Sequence, residues 1–297
     1  MYIQSDYLAG RWLSVSDRPP GDASQSCGSR LERRFLAADP AQQYCLFTPP
    51  APRPGAPILV IVHGAAQTAA DQVRNFLPLA EAAGALVVAP VFARERFPHY
   101  QRLGRAGHGL RADRALDEIL RDVRALSPGC ADRAHLFGHA GGGQFVHRYV
   151  MARPEEVERY VVSAAGGYTL PDPHLNFPFG IRQTPDLPGF APDPLAFLAV
   201  PGCVFGKAHG QHPGRGLSRM LTSDPEHGVA RIDRGRRWAA VMNRKAMSLG
   251  LPPPLQFSVL PGDGAALGGA GRPSRLAAAA FDFLFRARAK NAATQSQ

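Results

Sequence analysis

The sequence predicts an α/β protein whose central sheet is doubly wound and mostly parallel. Three observations support this fold class. Short apolar runs, typical of strands buried on both faces of a parallel sheet, recur along the chain. Segments with apolar residues at helical spacing separate these runs, so strands and helices alternate. The length of 297 residues suits one α/β domain with an ample core.

The alternation of strands and helices begins at residues 57–62, PILVIV, a run followed by the dipeptide His63-Gly64. The helix after it ends at Gly84, because glycine is a favourable residue just past a helix end. The further predicted strands are 85–92, 133–138, 157–165, 201–206 and 255–262, and the further helices are 111–126, a segment that ends near 152, 229–249 and 273–287.

One domain over residues 31–297 is expected, preceded by a flexible lead-in over residues 1–30. Residues 166–198, the proline-rich segment, interrupt the alternation with seven prolines and several aromatic residues. Parallel sheets carry their ligand-binding loops at the carboxyl ends of the strands. We therefore expect the proline-rich segment to be an insertion over this edge and to form the wall of a pocket.

The composition excludes several classes of function. The chain is 45% apolar and 20% charged, as in soluble globular proteins, and no apolar run reaches the roughly 18 residues of a membrane span. The net charge of +10 comes from dispersed arginines without a nucleic-acid-binding motif. The four cysteines lack metal-site spacing, and the N-terminus lacks a secretory signal. We expect a cytoplasmic protein that binds no nucleic acid, metal or cofactor.

Residues 137–145, FGHAGGGQF, predict a sharp turn between a strand and a helix. Gly138, Gly141 and Gly142 flank the turn, where the helix must begin close to the strand. In many hydrolases such a turn carries a nucleophile at its centre. Here the central residue is Ala140, which has no nucleophilic atom.

The order of these segments resembles the α/β-hydrolase superfamily, specifically the bacterial esterase and polyhydroxybutyrate-depolymerase-like group, over roughly residues 35–287. The segment VIVHGAAQTA resembles that group's oxyanion strand and loop, and FGHAGGGQFVHRYVMARP resembles its nucleophile elbow and the following helix. SAAGGYTLPDPH resembles the stretch after its sixth strand. The resemblance implies the fold, a bacterial origin and the positions of a Ser-Asp-His catalytic triad.

At those three positions the chain lacks the required side chains. A serine hydrolase needs a hydroxyl to attack, an imidazole to accept its proton and a carboxylate to orient the imidazole. The resemblance assigns Ala140 to the nucleophile and His209, in the phrase GKAH, to the acid, with Lys207 in place of a glutamate. It assigns Ala265, in the phrase PGDGAA, to the catalytic histidine.

The position of the last histidine makes this conclusion independent of the alignment. None of the ten histidines lies beyond residue 227, so no small shift of register supplies an imidazole to the terminal loop. An engineered Ser-to-Ala change would leave the histidine and the acid intact. Three losses together favour a natural pseudoenzyme, and ordinary ester hydrolysis is not expected.

The oxyanion hole consists of backbone amides and does not depend on side-chain identity. The resemblance places these amides at Gly141 and near Ala65, with Gln67 in the same loop. The site is therefore expected to bind a carbonyl or carboxylate oxygen, with Lys207 and His209 as cationic groups at its mouth. Alternatively, the glycines serve only the turn and phenylalanine and proline side chains fill the cavity. The sequence leaves both interpretations open.

Three hypotheses of function follow. In the first and favoured one, the protein binds a small acyl, ester or carboxylate ligand, or a protein partner or second copy of itself, without catalysis. In the second, it is an enzyme with triad-independent chemistry, such as a lyase, isomerase or cyclase, using Lys207, His209 or Asp263. In the third, it is a hydrolase whose nucleophile is Ser163 or Cys203, which we rank last because both are expected to be buried.

Overall fold

A computed structural model of the chain describes residues 30–50, 52–64, 69–207, 231–260 and 273–294. Eight strands form one sheet in the order β1-β2-β4-β3-β5-β6-β7-β8. The strands are β1 Arg30–Phe35, β2 Gln43–Thr48, β3 Ile58–Val62, β4 Leu86–Pro90, β5 Ala134–His139, β6 Val157–Ser163, β7 Gly202–Lys207 and β8 Leu255–Leu260.

The six strands from β3 to β8 are parallel to one another, whereas β1 and β2 form an antiparallel edge beside β4. This confirms the predicted α/β class with a mostly parallel sheet. Strands β1 and β2 were not predicted from the sequence. The reason is visible in β1, RLERRF, whose charged residues suit an edge strand but give no buried apolar run.

The helices occupy the predicted places between the parallel strands. They are α1 Ala69–Ala83, α2 Ala112–Leu126, α3 Gly141–Ala152, α4 Pro194–Leu198, α5 Arg231–Ser248 and α6 Arg275–Thr294, with 3₁₀ turns at Tyr100–Arg102 and Pro154–Glu156. Helix α6 ends seven residues beyond the predicted end, and α4 was not predicted. Within the described ranges, none of these helices is long and apolar enough to cross a membrane.

The core has two layers, one on each face of the sheet. Successive residues of a strand point to opposite faces, so Val60 joins one layer while Leu59 joins the other. Helices α2, α3 and α5 cover the first face, and α1 and α6 cover the second. Because helices pack on both faces, the loops at the carboxyl ends of the strands are left as the place for a binding site.

Candidate ligand site at the β5–α3 turn

A single residue, Ala140, connects β5 to α3, and its backbone is strained. Its φ of 52° and ψ of −111° lie in a region that residues with a Cβ atom rarely adopt, at a cost of about 1–3 kcal/mol. The Ala140 amide donates to the carbonyl of Ser163 (2.9 Å), and its carbonyl accepts from the amide of Gln144 (3.2 Å). These bonds to β6 and to the first turn of α3 hold the strained conformation in place.

Glycines on either side of Ala140 allow α3 to begin against two strands. A Cβ atom at Gly138 would overlap the carbonyl group of Gly142, and one at Gly142 would overlap the carbonyl oxygen of Val62 at the end of β3. The obstructing atoms belong to the backbone and cannot rotate away. The glycine spacing in the sequence therefore has a steric cause at both positions. We use the name elbow for residues 138–142.

The amide of Gly141 is the first of α3, a helix of 12 residues. The first amides of a helix have no acceptor within the helix, and the aligned peptide dipoles add partial positive charge at this end. Both features favour an oxygen atom with partial or full negative charge. The first amide of a helix thus lies at Gly141, the position where the sequence resemblance predicts one amide of an oxyanion hole.

The 3₁₀ turn after β4 lies directly against the elbow. The Tyr100 hydroxyl donates to the carbonyl of His63 (3.2 Å) and lies 2.5 Å from the position that a Cβ atom of Gly141 would take. The Cγ atom of Gln101 lies 3.4 Å from the same position. Tyr100 is buried, and Gln101 is half-buried. These two side chains form a wall beside Gly141, and we call Ala140, Gly141, Tyr100 and Gln101 the elbow site.

His63 supports the wall as a neutral imidazole. Its Nε2 atom accepts a hydrogen bond from the amide of Phe92 (3.3 Å), so the ring proton is on Nδ1, which donates to the carbonyl of Gly64 (3.1 Å). Its ring packs against Tyr100, with the centroids 5.5 Å apart. Burial lowers the pKa of His63 below its ordinary value of 6.5, because the charged form would be poorly solvated.

We expect the pKa of His63 in the folded protein to lie below 6.5, with the proton of the neutral ring on Nδ1. Because the unfolded chain binds more protons than the folded protein just below pH 6.5, this group stabilises the fold above pH 6.5 and loses that effect as the pH falls. Long-range ¹H–¹⁵N NMR spectra distinguish the tautomers and give the pKa. A His63 ring that is half protonated at pH 6.5 or above would contradict the assignment.

A second imidazole lies beside a hydroxyl one residue before the centre of the elbow. His139 and Ser163 face each other at the ends of β5 and β6, and the His139 Nδ1 and Ser163 Oγ atoms are 3.3 Å apart. Ser163 is 5% exposed. Cys203, on β7, is also buried, and burial raises the pKa of its thiol to about 12, which excludes a thiolate at neutral pH.

Thr169 anchors the proline-rich segment to α3 and α5. Its amide donates to His147 Nε2 (3.1 Å), and its carbonyl accepts from the Trp238 indole (2.8 Å). Its hydroxyl accepts from Arg148 Nε (2.9 Å) and donates to the carbonyl of Pro178 (2.7 Å). All of these polar groups are satisfied, so the start of the segment has a fixed position over α3.

The proline-rich segment also lines a cavity of about 310 Å³. Its walls include Pro171, Pro173, Pro192 and Pro194, and Lys245 of α5 is the charged residue among the lining. Neither Ala140 nor Gly141 contributes to this cavity. This cavity therefore lies between the segment and α5 rather than over the elbow.

The structure describes some of the predicted site residues and not others. Ala140 and Gly141 lie together in the elbow, and Lys207 is the last residue of β7, at the same carboxyl edge of the sheet. The others, Ala65, Gln67, His209, Asp263 and Ala265, lie outside the described residues. Within the described part of the chain, no group of three histidine, cysteine, aspartate or glutamate side chains is placed to hold a metal ion.

Tyr100, Gln101 and Arg148 were not predicted from the sequence as site residues. No local pattern marks Tyr100 or Gln101, because their place beside the elbow depends on the path of the chain from β4 to α2. For Arg148, the spacing of residues in the sequence could have indicated its place. Arg148 follows Gln144 by four residues, and Gln144 follows Ala140 by four, so all three lie along one face of α3.

Comparisons with known proteins identify the fold. No family model matches the sequence, and no curated protein matches it. Among solved structures, poly(aspartic acid) hydrolase-1 from Sphingomonas sp. KT-1 superposes with a TM-score of 0.69 at 22% identity, covering 87% of this chain and 98% of that chain. The poly(3-hydroxybutyrate) depolymerase LpqC from Bordetella parapertussis gives a TM-score of 0.66 at 24% identity, covering 88% and 90%. The chain has the α/β-hydrolase fold.

A bacterial heroin esterase, with a TM-score of 0.52 and 15% identity, covers 89% of this chain and 86% of that chain and has the same overall architecture. The α/β-hydrolase fold predicted from the sequence resemblance is thereby confirmed. The resemblance places the nucleophile of this fold at the β5–α3 turn, which here holds Ala140 in a strained backbone conformation. The elbow is present in its geometry, whereas its central side chain is a methyl group.

Proposed function

We propose that the protein is a catalytically degenerate α/β-hydrolase homologue that binds a small acyl, ester or carboxylate ligand without cleaving it. The observation that carries this proposal is the strained backbone of Ala140. Such strain has a cost, and it persists in hydrolases because it presents a nucleophile. Here the same conformation presents a methyl group beside the amide of Gly141. In an alternative form of this proposal, the same site binds a protein partner instead of a small ligand.

The chemistry of the proposed site follows from the missing nucleophile at Ala140 and the backbone amide at Gly141. A methyl group cannot attack a carbonyl carbon. Loss of the serine or histidine of a triad lowers turnover by a factor on the order of a million, and the remaining acceleration comes from the oxyanion hole and binding. The site is thus proposed to hold a carbonyl or carboxylate oxygen at the Gly141 amide, with the rest of the ligand over Ala140.

The test is an NMR titration of the backbone amide of Gly141 with butyrate and with methyl butyrate. We expect its resonance to shift and saturate with at least one of these probes, because the oxygen would accept a hydrogen bond from this amide. The amide of Gly250, in the turn before β8, serves as the control and is expected not to move. If neither probe moves Gly141 at millimolar concentration, the proposed binding function is wrong.

One observation favours a second candidate, a hydrolase that uses Ser163. The 3.3 Å separation between Ser163 Oγ and His139 Nδ1 is close enough for the imidazole to accept the hydroxyl proton. The burial of Ser163 opposes this candidate, because an attacking hydroxyl must reach its substrate.

A fluorophosphonate label separates the two candidates. We expect no covalent adduct on the wild-type protein by mass spectrometry, since Ser163 is enclosed. A single adduct that maps to Ser163 and disappears in Ser163→Ala would establish the second candidate and contradict the first. An active serine hydrolase of the same fold is the positive control for the reagent.

A further inference from the structure

Arg148 is a buried cation on the third turn of α3. Its side chain is among the most enclosed charged groups in the described part of the chain, with the residue 3% exposed. Nε donates to the hydroxyl of Thr169, and Nη1 donates to the carbonyl of Gln101 (2.6 Å) and makes a long contact with Gln144 Oε1 (3.5 Å). The guanidinium carbon also lies over the Phe177 ring, 5.9 Å from its centroid. None of these partners carries a formal negative charge.

The surroundings of Arg148 add no negative charge. Among the described residues, no carboxylate lies within ion-pair distance of Arg148, and its Nη2 atom has no acceptor. The nearby positive charge of Arg102 and burial lower the pKa of the Arg148 guanidinium to about 9, with burial the larger cause. A buried charge without a counter-charge is unfavourable, and buried charges in proteins are normally paired.

The Nη2 atom of Arg148, which has no acceptor among the described residues, is the part of the guanidinium left for a ligand, and the side chain lies near the elbow site. Gln101 connects the two, because its carbonyl accepts from Arg148 Nη1 while its Cγ atom faces Gly141. Gln144 lies between Ala140 and Arg148 on the same face of α3, and both glutamines are half-buried. Arg148 follows Gly141 by two helical turns, or roughly 10 Å along the helix axis, and long helical side chains point back toward the helix N-terminus.

We propose that Arg148 is a ligand-binding residue that pairs with a carboxylate of the bound molecule, so that the ligand of the elbow site is a half-ester or similar acyl compound with a second, anionic end. This inference rests on the proposed function, because it assumes that the acyl end lies at Gly141. A guanidinium suits a carboxylate because two parallel N–H donors match its two oxygens. The ligand carboxylate would supply the counter-charge that the described part of the chain lacks there.

The test compares monomethyl adipate, which carries one carboxylate, with the neutral dimethyl adipate. Binding of each is followed at the Gly141 amide by NMR. In the wild-type protein we expect the half-ester to bind at least about tenfold more tightly, the effect of one charged hydrogen bond. The key variant is Gln144→Glu, which places a carboxylate of nearly the same shape beside Arg148 and does not require removal of the buried arginine.

In Gln144→Glu we expect the affinity for the half-ester to fall at least about tenfold, to that of the diester, while the diester is unaffected. The internal ion pair should also raise Tm by about 2–4 °C. Gln256→Glu, on the exposed edge strand β8, makes the same change in net charge away from the site and should alter neither affinity. Arg148→Met should likewise abolish the preference for the half-ester.

Two outcomes would overturn the inference. If both probes shift Gly141 with equal affinity and Gln144→Glu changes neither, Arg148 does not bind a carboxylate, whereas the proposed function stands. If neither adipate ester shifts Gly141 but methyl butyrate does, the site excludes a longer anionic acyl compound and only the inference fails. Absence of a response to every probe would contradict the inference and the proposed function together.

Discussion

The Gly142→Ala variant is expected to lose about 3 kcal/mol of the free energy of unfolding, the upper end of the usual cost of overpacking a core position. An added Cβ atom would overlap the carbonyl oxygen of Val62 and lie 2.9 Å from that of His63. Both are backbone atoms at the end of β3, so α3 and the strand would have to separate. Denaturant unfolding followed by circular dichroism measures the loss.

Ala140→Gly, two residues before Gly142, is the matched control and is expected to raise the free energy of unfolding. Glycine adopts the φ of 52° without the strain that a Cβ atom causes, so the variant should gain about 1 kcal/mol, reduced by the greater freedom of glycine in the unfolded chain. If Gly142→Ala unfolded at the same denaturant concentration as the wild-type protein, α3 could not approach β3 as closely as described.

The second large effect is a gain of esterase activity on restoring the triad. A variant that combines Ala140→Ser, His209→Asp and Ala265→His is expected to hydrolyse p-nitrophenyl butyrate at least about a hundredfold faster than the wild-type protein, the lower end of what a positioned general base contributes. The elbow already has the backbone that presents the nucleophile. Initial rates of p-nitrophenol release measure the gain.

Ala140→Ser alone is the control for the triad variant. A serine without its imidazole gains almost nothing, because loss of the histidine alone costs about as much as loss of all three residues. We therefore expect the single variant to stay within about tenfold of the wild-type rate. A folded triple variant that is as inactive as the single variant would show that His209 and Ala265 are not the triad positions.

The parts of the fold that follow from local sequence were predictable. Strand β3, ILVIV, has five buried residues in a row, a pattern typical of a strand covered on both faces. Strand β1 was not predictable in this way, since its place is set by antiparallel pairing with β2 rather than by burial. Helix α4 begins inside the proline-rich segment, and the Asp193 side chain caps its N-terminus. The many prolines of this segment predicted a loop instead of a helix.

The same distinction applies to the site. The elbow is local, and the glycines around Ala140 marked it, because a Cβ atom would meet the backbone of α3 at Gly138 and the backbone of β3 at Gly142. The pair of His139 and Ser163 depends on the register between β5 and β6, and the approach of Tyr100 to Gly141 depends on the loop after β4. Tertiary packing determines both contacts, and no residue spacing in the sequence predicts either of them.

The most direct test of the central claim is to recover the ligand after it has bound. The wild-type protein is saturated with methyl butyrate, as judged by the Gly141 amide, and the ester and the protein are then analysed separately by mass spectrometry. Binding without cleavage predicts intact ester after many hours and a protein of unmodified mass. Conversion of the ester to butyrate above the rate in buffer, or an acyl group on the protein, would contradict the claim that this elbow binds but does not react.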